Sequence, residues 1–257
     1  MMAQKQDYIA VFDSGLGGIS VLRELRQVLP NERFVYFGDS INAPYGTRPP
    51  EQVRQLTLAA ADRLMQRGVK ALVVACNTAT AAAIETLRSA YPTEIIIGIE
   101  PAVKLAANHH PGGRVGVMAT QVTLQLERFE GLVARHGQQL EVVRIPAPGL
   151  VELVEQGKAD SPEMVAFLEP ILGPWRGKLD ALVLGCTHYP FAKKAIAHVL
   201  GSNTELLDGS LGTARETRRR LEEAGLLSDG PGEIVIENSL SDRTMAELAR
   251  KLLECSL

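Results

Sequence analysis

Two stretches of this chain read alike: Ala71-Leu72-Val73-Val74-Ala75-Cys76-Asn77-Thr78 and Ala181-Leu182-Val183-Leu184-Gly185-Cys186-Thr187-His188. Each is an apolar run, then a small residue, then Cys, then side chains that form hydrogen bonds. A short run rich in Leu and Val with a helical pattern behind it reads as a parallel strand buried on both faces of an α/β sheet. Ligands of such sheets bind beyond the carboxyl ends of the strands. Each Cys is therefore expected where chemistry is done, and the chain is expected to be built twice, with two thiols serving one cleft.

Outward from these stretches, the pattern repeats as well. Strands are expected over 8–12, 33–37 and 94–99 around the first Cys strand, and over 114–118, 140–145 and 205–207 around the second. Helical periodicity joins them. Ile19, Leu22, Leu25 and Leu29 share one face, and so do Val53, Leu56, Ala60 and Leu64 in a helix over 50–67 that Gly68 stops. Ile84 and Leu87 mark the helix after Cys76, which Asn77 or Thr78 can cap, and Pro101 opens a short helix. In the second half, one helix carries Leu126, Phe129 and Val133, another spans 150–155, Ser161-Pro162 starts a third, and a fourth covers 190–200. A tail without counterpart holds a helix near 213–224, a strand over 233–237 and a helix from Ser241 with Met245, Leu248 and Leu252 inward. Alternating strands and helices imply mostly parallel sheets covered on both faces. The expected fold is therefore α/β: two similar domains, 1–100 with 210–257 and 101–209, related by a pseudo-two-fold axis with the active site in the cleft between them.

A chain of 257 residues, 46% hydrophobic, can build such a core. Its net charge of −3 favours neither nucleic acid nor an anionic membrane as partner. Arg218-Arg219-Arg220 is answered by Glu222 and Glu223 and reads as a solvated helix face. Three widely spaced cysteines, Cys76, Cys186 and Cys255, do not make a disulfide scaffold. The polar stretch from Met1 to Asp7 has no apolar signal segment, and no run is long enough to span a bilayer. A reducing cytoplasm with free thiols is the expected setting.

Asp13-Ser14-Gly15-Leu16-Gly17-Gly18 joins the first strand to its helix and admits three readings: a phosphate loop, a plain turn, or polar groups aimed at a ligand. It lacks the Lys of a P-loop and the G-x-G-x-x-G spacing. Asp13 would also repel a phosphate, which favours the third reading. Ala119-Thr120 occupy the matching place in the second half. Gly38-Asp39-Ser40 and Asn42-Ala43-Pro44-Tyr45-Gly46 form a shaped loop.

Free Cys has a pKa of about 8.5, so half ionisation at pH 7 needs a shift of roughly 1.5 units, or about 2 kcal/mol. A helix N-terminus favours thiolate, and one is expected after each Cys. A protonated His188 would add to this at Cys186. Cys76, Cys186 and His188 offer at most three ligands in a spacing unlike structural zinc sites, and no cofactor motif stands out. Cysteines can also be plain buried apolar residues; Cys255 reads as one of these or as an exposed C-terminal thiol. Cys76 and Cys186 instead end their apolar runs among Asn and Thr. Thiols on either side of a carbon suit proton abstraction from one face and return on the other. Asn77, Thr78, Thr187, Ser14 and Thr120 are candidates to stabilise the developing carbanion.

These blocks also carry a resemblance. Phe12-Asp13-Ser14-Gly15-Leu16-Gly17-Gly18, Tyr36-Phe37-Gly38-Asp39 with Pro44-Tyr45-Gly46, Ala75-Cys76-Asn77-Thr78-Ala79-Thr80, Val115-Gly116-Val117-Met118-Ala119-Thr120 and Gly185-Cys186-Thr187-His188-Tyr189-Pro190 resemble glutamate racemases of the aspartate/glutamate racemase family, in order and over most of the chain. The resemblance implies cofactor-independent interconversion of L- and D-glutamate, an isomerase supplying a D-amino acid for peptidoglycan, with no metal. It implies that Cys76 and Cys186 are the acid/base thiols. Asp13 is then expected to assist Cys76, and His188 and Glu155 to assist Cys186, with Glu152 the competing carboxylate. Ser14, Pro44, Tyr45, Gly46, Asn77, Thr78, Thr120 and Thr187 are implied as substrate binders. Aspartate racemases commonly carry Glu after Cys-Thr, so His188 favours glutamate. A homodimer is expected, and with few residues ahead of the first strand, activation by a cell-wall precursor is not. An aspartate or hydantoin substrate, or a binding module without turnover, are the alternatives.

Overall fold

The structure, a computed structural model, describes residue 4, residues 6–241 and residues 243–255. Met1, Met2, Ala3 and Lys5 of the expected polar N-terminal stretch lie outside the described residues, and so do Asp242 in the tail and the last two positions. The chain divides into two compact units: one from the N-terminus through Ile99 together with Ser210–Cys255, the other Glu100–Gly209.

The first unit runs β1 (Ile9–Asp13), α1 (Ile19–Val28), β2 (Arg33–Gly38), α2 (Pro50–Met65), β3 (Ala71–Val74), α3 (Asn77–Ala90) and β4 (Ile96–Gly98). The second runs α4 (Val103–His109), β5 (Arg114–Ala119), α5 (Gln121–Gln125), α6 (Glu127–His136), β6 (Glu141–Pro146), α7 (Leu150–Glu155), α8 (Pro162–Leu172), β7 (Ala181–Leu184), α9 (Lys193–Leu200) and β8 (Glu205–Asp208). The chain then returns to the first unit with α10 (Ser210–Glu223), β9 (Glu233–Asn238) and α11 (Arg243–Glu254).

The duplication is explicit in strand order. The first sheet reads β4-β3-β1-β2-β9 and the second β8-β7-β5-β6, every pairing parallel. Apart from β9, the two orders are the same. Both Cys strands are buried along their length, as expected for strands covered by helices on both faces. Leu72, Val73 and Val74 are wholly inaccessible, and burying each such side chain stabilises the fold by about 1.5–3 kcal/mol. Leu72 and Val74 join Phe12, Phe37, Val53 and Leu64 in the core of the first unit. Val115, Val117, Phe129, Leu132 and Val183 build that of the second.

The tail strand β9 lies beside β2, in register from Arg33↔Glu233 to Gly38↔Asn238. Helices α10 and α11 pack on α1. At the amino end of this sheet, Lys70 and Glu32 form a buried ion pair of 2.5 Å. Lys70 Nζ also donates to the Leu226 carbonyl, and Ser228 N–H donates to Glu32 Oε1. These bonds fasten the returning chain to the first unit.

Two expected helices are each divided. The helix expected across Leu126, Phe129 and Val133 breaks at Leu126, which is extended (φ −79°, ψ 143°). Val122, Thr123 and Leu124 bury three successive side chains, and one helical stripe cannot present these together with Phe129 and Leu132. The helix expected over 190–200 begins as a 3-10 turn, Tyr189–Ala192, with all four residues buried, and becomes α9 only at Lys193.

Candidate functional site

In both sheets the chain leaves the first strand in opposite directions, towards β2 and β3 or towards β6 and β7. That makes β1/β3 and β5/β7 the crevices where such sheets take ligands, outside the carboxyl ends of the strands. Each Cys follows one of those strands. The local register also repeats: Ala75 N–H donates to the Phe12 carbonyl and Gly185 N–H to the Met118 carbonyl, both at 2.7 Å. Ser14 thus stands beside Cys76.

Cys76 itself is the N-cap of α3. Its backbone is extended (φ −87°, ψ 120°), and Sγ accepts from Ala79 N–H at 3.4 Å. This corrects the expectation that Asn77 or Thr78 caps the helix; both are its first helical residues. The sulfur therefore sits at the positive end of a 14-residue helix, a location that favours negative charge. Cys76 Sγ and Ser14 Oγ are 3.6 Å apart. Asp13 is fully buried and accepts from Gly15 N–H at 2.8 Å, which shapes the turn carrying Ser14. Asn77 is buried, and its Oδ1 meets no protein donor among the described residues. A buried amide oxygen of this kind can accept a hydrogen bond from a ligand or from water. Thr78 is buried next to it.

The loop after β2 supplies Pro44, Tyr45 and Gly46. Pro44 and Gly46 are partly buried, and Tyr45 is buried against Phe12, ring centroids 6.3 Å apart. Its hydroxyl donates to Asp39 Oδ2 at 2.7 Å. Burial, and then the bond to Asp39, raise the phenol well above its ordinary pKa. Tyr36, fully buried, donates to the Gly15 carbonyl at 2.7 Å and steadies the same turn from below.

Cys186 has a different setting. It is buried and is followed by a turn, with Tyr189 N–H donating to its carbonyl, and then by the 3-10 segment. The helix N-terminus expected directly after it is absent, because α9 begins seven residues later. Its partner is His188, whose Nδ1 lies 3.9 Å from Sγ and whose Nε2 lies 2.9 Å from Glu155 Oε1. His188 is buried. Burial alone would push the imidazole down, but the hydrogen bonds and charges of Cys186 and Glu155 outweigh it and hold the pKa well above the ordinary value. A cation between a sulfur and a carboxylate stabilises thiolate on one side and is neutralised on the other. Of the two carboxylates at α7, Glu155 makes this contact; Glu152 is exposed. Thr187 is buried beside Cys186. Thr120 caps α5, its Oγ1 accepting from Thr123 N–H at 3.2 Å.

Asp13, Ser14, Tyr45, Asn77, Thr78 and Cys76 thus gather in the first unit, and Glu155, Cys186, Thr187 and His188 in the second. Tyr36, Asp39 and Tyr189 have no individual role in the sequence reading. Burial raises the Tyr189 phenol, helped by Cys186. Among the described residues, no group of three or more His, Cys, Asp or Glu side chains is placed to hold a metal ion. No helix there is long and apolar enough to cross a membrane.

Comparison with known proteins accords with this geometry. The family model described as Asp/Glu/Hydantoin racemase matches residues 17–217. A glutamate racemase from Clostridium perfringens strain SM101 is 47% identical over 249 residues, covering 96% of each chain. Among solved structures, glutamate racemase from Thermus thermophilus, in complex with beta-chloro-D-alanine, has TM-score 0.83 and 39% identity over 98% of this chain and 94% of its own. Glutamate racemase from Francisella tularensis, in complex with D-glutamate, has TM-score 0.85 and 28% identity over 98% and 96%. Two parallel α/β units and two Cys strands thus accompany near-full-length similarity, and the chain belongs to the Asp/Glu/hydantoin racemase family.

Proposed function

We infer that this protein is a glutamate racemase that interconverts L- and D-glutamate with Cys76 and Cys186 as its two acid/base groups, supplying D-glutamate for peptidoglycan. The observation that carries the reading is the repeated Cys at the carboxyl end of equivalent strands, each among buried polar side chains. The near-full-length glutamate racemase relatives support the substrate.

Racemisation by two bases needs one group for each face of the α-carbon. One cysteine, as thiolate, takes the α-proton and becomes a thiol, leaving a carbanion. The other, as thiol, returns its own proton to the opposite face and becomes the thiolate. No atom is gained or lost, and the two sulfurs exchange roles at each turnover. Asp13 assists Cys76, and His188, held by Glu155, assists Cys186. Ser14, Pro44, Tyr45, Gly46, Asn77, Thr78, Thr120 and Thr187 bind substrate and spread the carbanion's charge through hydrogen bonds. The reading includes a cytoplasmic setting and a homodimer, which light scattering of the purified protein tests.

The test of function is a panel of enantiomers followed by loss of optical rotation. Both glutamate enantiomers should racemise to the same end point, with aspartate and hydantoins inert or much slower. Rapid turnover of aspartate with glutamate inert would replace this substrate assignment. Tight binding of glutamate without turnover would replace the enzyme by a binding module.

A further inference from the structure

The tail strand β9 has no counterpart in the second unit, and its end lies beyond the stretch that the family model matches. That end is not merely an edge of the sheet. Ser239 N–H donates to the Gly38 carbonyl at 2.9 Å. Ser239 Oγ accepts from Ile41 N–H at 2.9 Å, and Asn238 Nδ2 donates to Ser40 Oγ at 2.8 Å. Asn238 Oδ1 in turn accepts from Leu240 N–H at 2.8 Å, which fixes the amide's orientation. Three hydrogen bonds thus hold residues 38–41 from one side.

What these residues carry is the loop assigned above to substrate. Asp39 sits between the clamped positions. It accepts from Asn42 Nδ2 at 3.1 and 3.0 Å and from the Tyr45 hydroxyl at 2.7 Å. The Asn42 carbonyl accepts from Arg48 Nε at 2.7 Å, closing the far end of the loop. The path from β9 to Tyr45 therefore runs through bonded groups at every step. Tyr45 is also fixed by its ring against Phe12, but the backbone between Asp39 and Pro44 has its outer support from the tail.

We propose that Asn238 and Ser239 are positioning residues, which hold the loop of Asp39–Gly46 in the conformation that receives substrate. This rests on the reading that residues 44–46 bind glutamate. Neither side chain touches the thiols, so the clamp acts on binding and not on proton transfer.

The test compares the parent protein with Asn238→Ala, Ser239→Ala, the double variant and Ser239→Thr, which retains the hydroxyl. Kinetics with each glutamate enantiomer should give KM raised roughly three- to thirtyfold in the double variant, two hydrogen bonds of modest strength to the loop being lost. The value of kcat should stay within about twofold, and Ser239→Thr should resemble the parent. Amide hydrogen exchange should quicken about tenfold or more over residues 39–46 in the double variant, with β1 and β3 unchanged. A double variant with parental KM, or with unchanged exchange over 39–46, overturns the proposal, as does a fall in kcat at unchanged KM. A parent that does not racemise glutamate overturns the functional reading instead, and the exchange experiment then decides the clamp by itself.

Discussion

The two units share a strand order and a Cys, yet they surround that Cys differently. Cys76 caps a 14-residue helix with its own sulfur, beside the Ser14 hydroxyl. Cys186 has no helix directly behind it and is instead backed by the chain His188–Glu155. The Cys76 sulfur meets a helix N-terminus and a neutral hydroxyl, the Cys186 sulfur an imidazole held by a carboxylate. The duplicated scaffold thus repeats the position of the Cys while the groups around it differ. A two-base racemase can tolerate such a difference, because each sulfur need only alternate between thiol and thiolate.

The comparison breaks most decisively if one half proves dispensable. Cys76→Ala and Cys186→Ala should each lower racemisation by about 10²–10⁴-fold, the usual weight of a positioned proton-transfer group. Steady-state rates with either enantiomer decide this, and parental activity in either variant would leave only one working half.

The second effect belongs to the Cys186 half alone. His188→Gln should reduce kcat by about 10–100-fold, as expected for losing a charge-assisted hydrogen bond of roughly 1.5–3 kcal/mol. It should also change how stability depends on pH. His188 is held above its ordinary pKa in the folded state, so its contribution is complete below the unfolded value of about 6.5 and fades as pH rises through the folded value. Thermal midpoints of parent and variant should therefore lie furthest apart near pH 6 and converge towards alkaline pH. A gap that widens as pH rises would contradict the assignment.

A third, smaller effect contrasts the ends of equivalent strands. Gly38 and Pro146 occupy matching ladder positions, opposite Asp13 and Ala119. A Cβ on Gly38 would lie 2.3 Å from the Gly15 carbonyl oxygen, a backbone atom that cannot move aside cheaply. Gly38→Ala should destabilise by about 1–3 kcal/mol and lower the thermal midpoint at roughly 2–4 °C per kcal/mol. Pro146 is exposed, and Pro146→Ala should shift it less. Smallest is Ser14→Ala, which removes one neutral hydroxyl beside Cys76. A loss of about 1 kcal/mol, near fivefold in kcat/KM, is expected, well short of His188→Gln.

How much of this was legible in the sequence varies from residue to residue. The Cys strands could be read because continuous apolar runs bury both faces, and strand and helix alternation carried the rest of the α/β reading. The Ser161 cap could be read because its side chain accepts from Met164 N–H within the same turn. The Cys76 cap could not, since Cys is not among the usual capping residues and nothing local distinguishes it from Asn77 or Thr78. The delayed start of α9 was hidden because 3-10 and α-helical stretches share a similar apolar spacing over one turn. The contact of Glu155 with His188 joins residues 33 positions apart, so the sequence left Glu152 as a competing carboxylate. The place of β9 beside β2 is likewise a long-range pairing, and with it the contacts of Asn238 and Ser239.

The central claim, that each sulfur serves its own face of one carbon, is tested most directly by solvent deuterium. One glutamate enantiomer is incubated with the parent protein in D₂O, and at low conversion the recovered substrate and the product are separated and their α-deuterium measured. The account predicts deuterium in the product and almost none in the recovered substrate, because the proton removed by one sulfur is not the one returned by the other. Equal deuterium in both, the mark of a single base serving both faces, would contradict it.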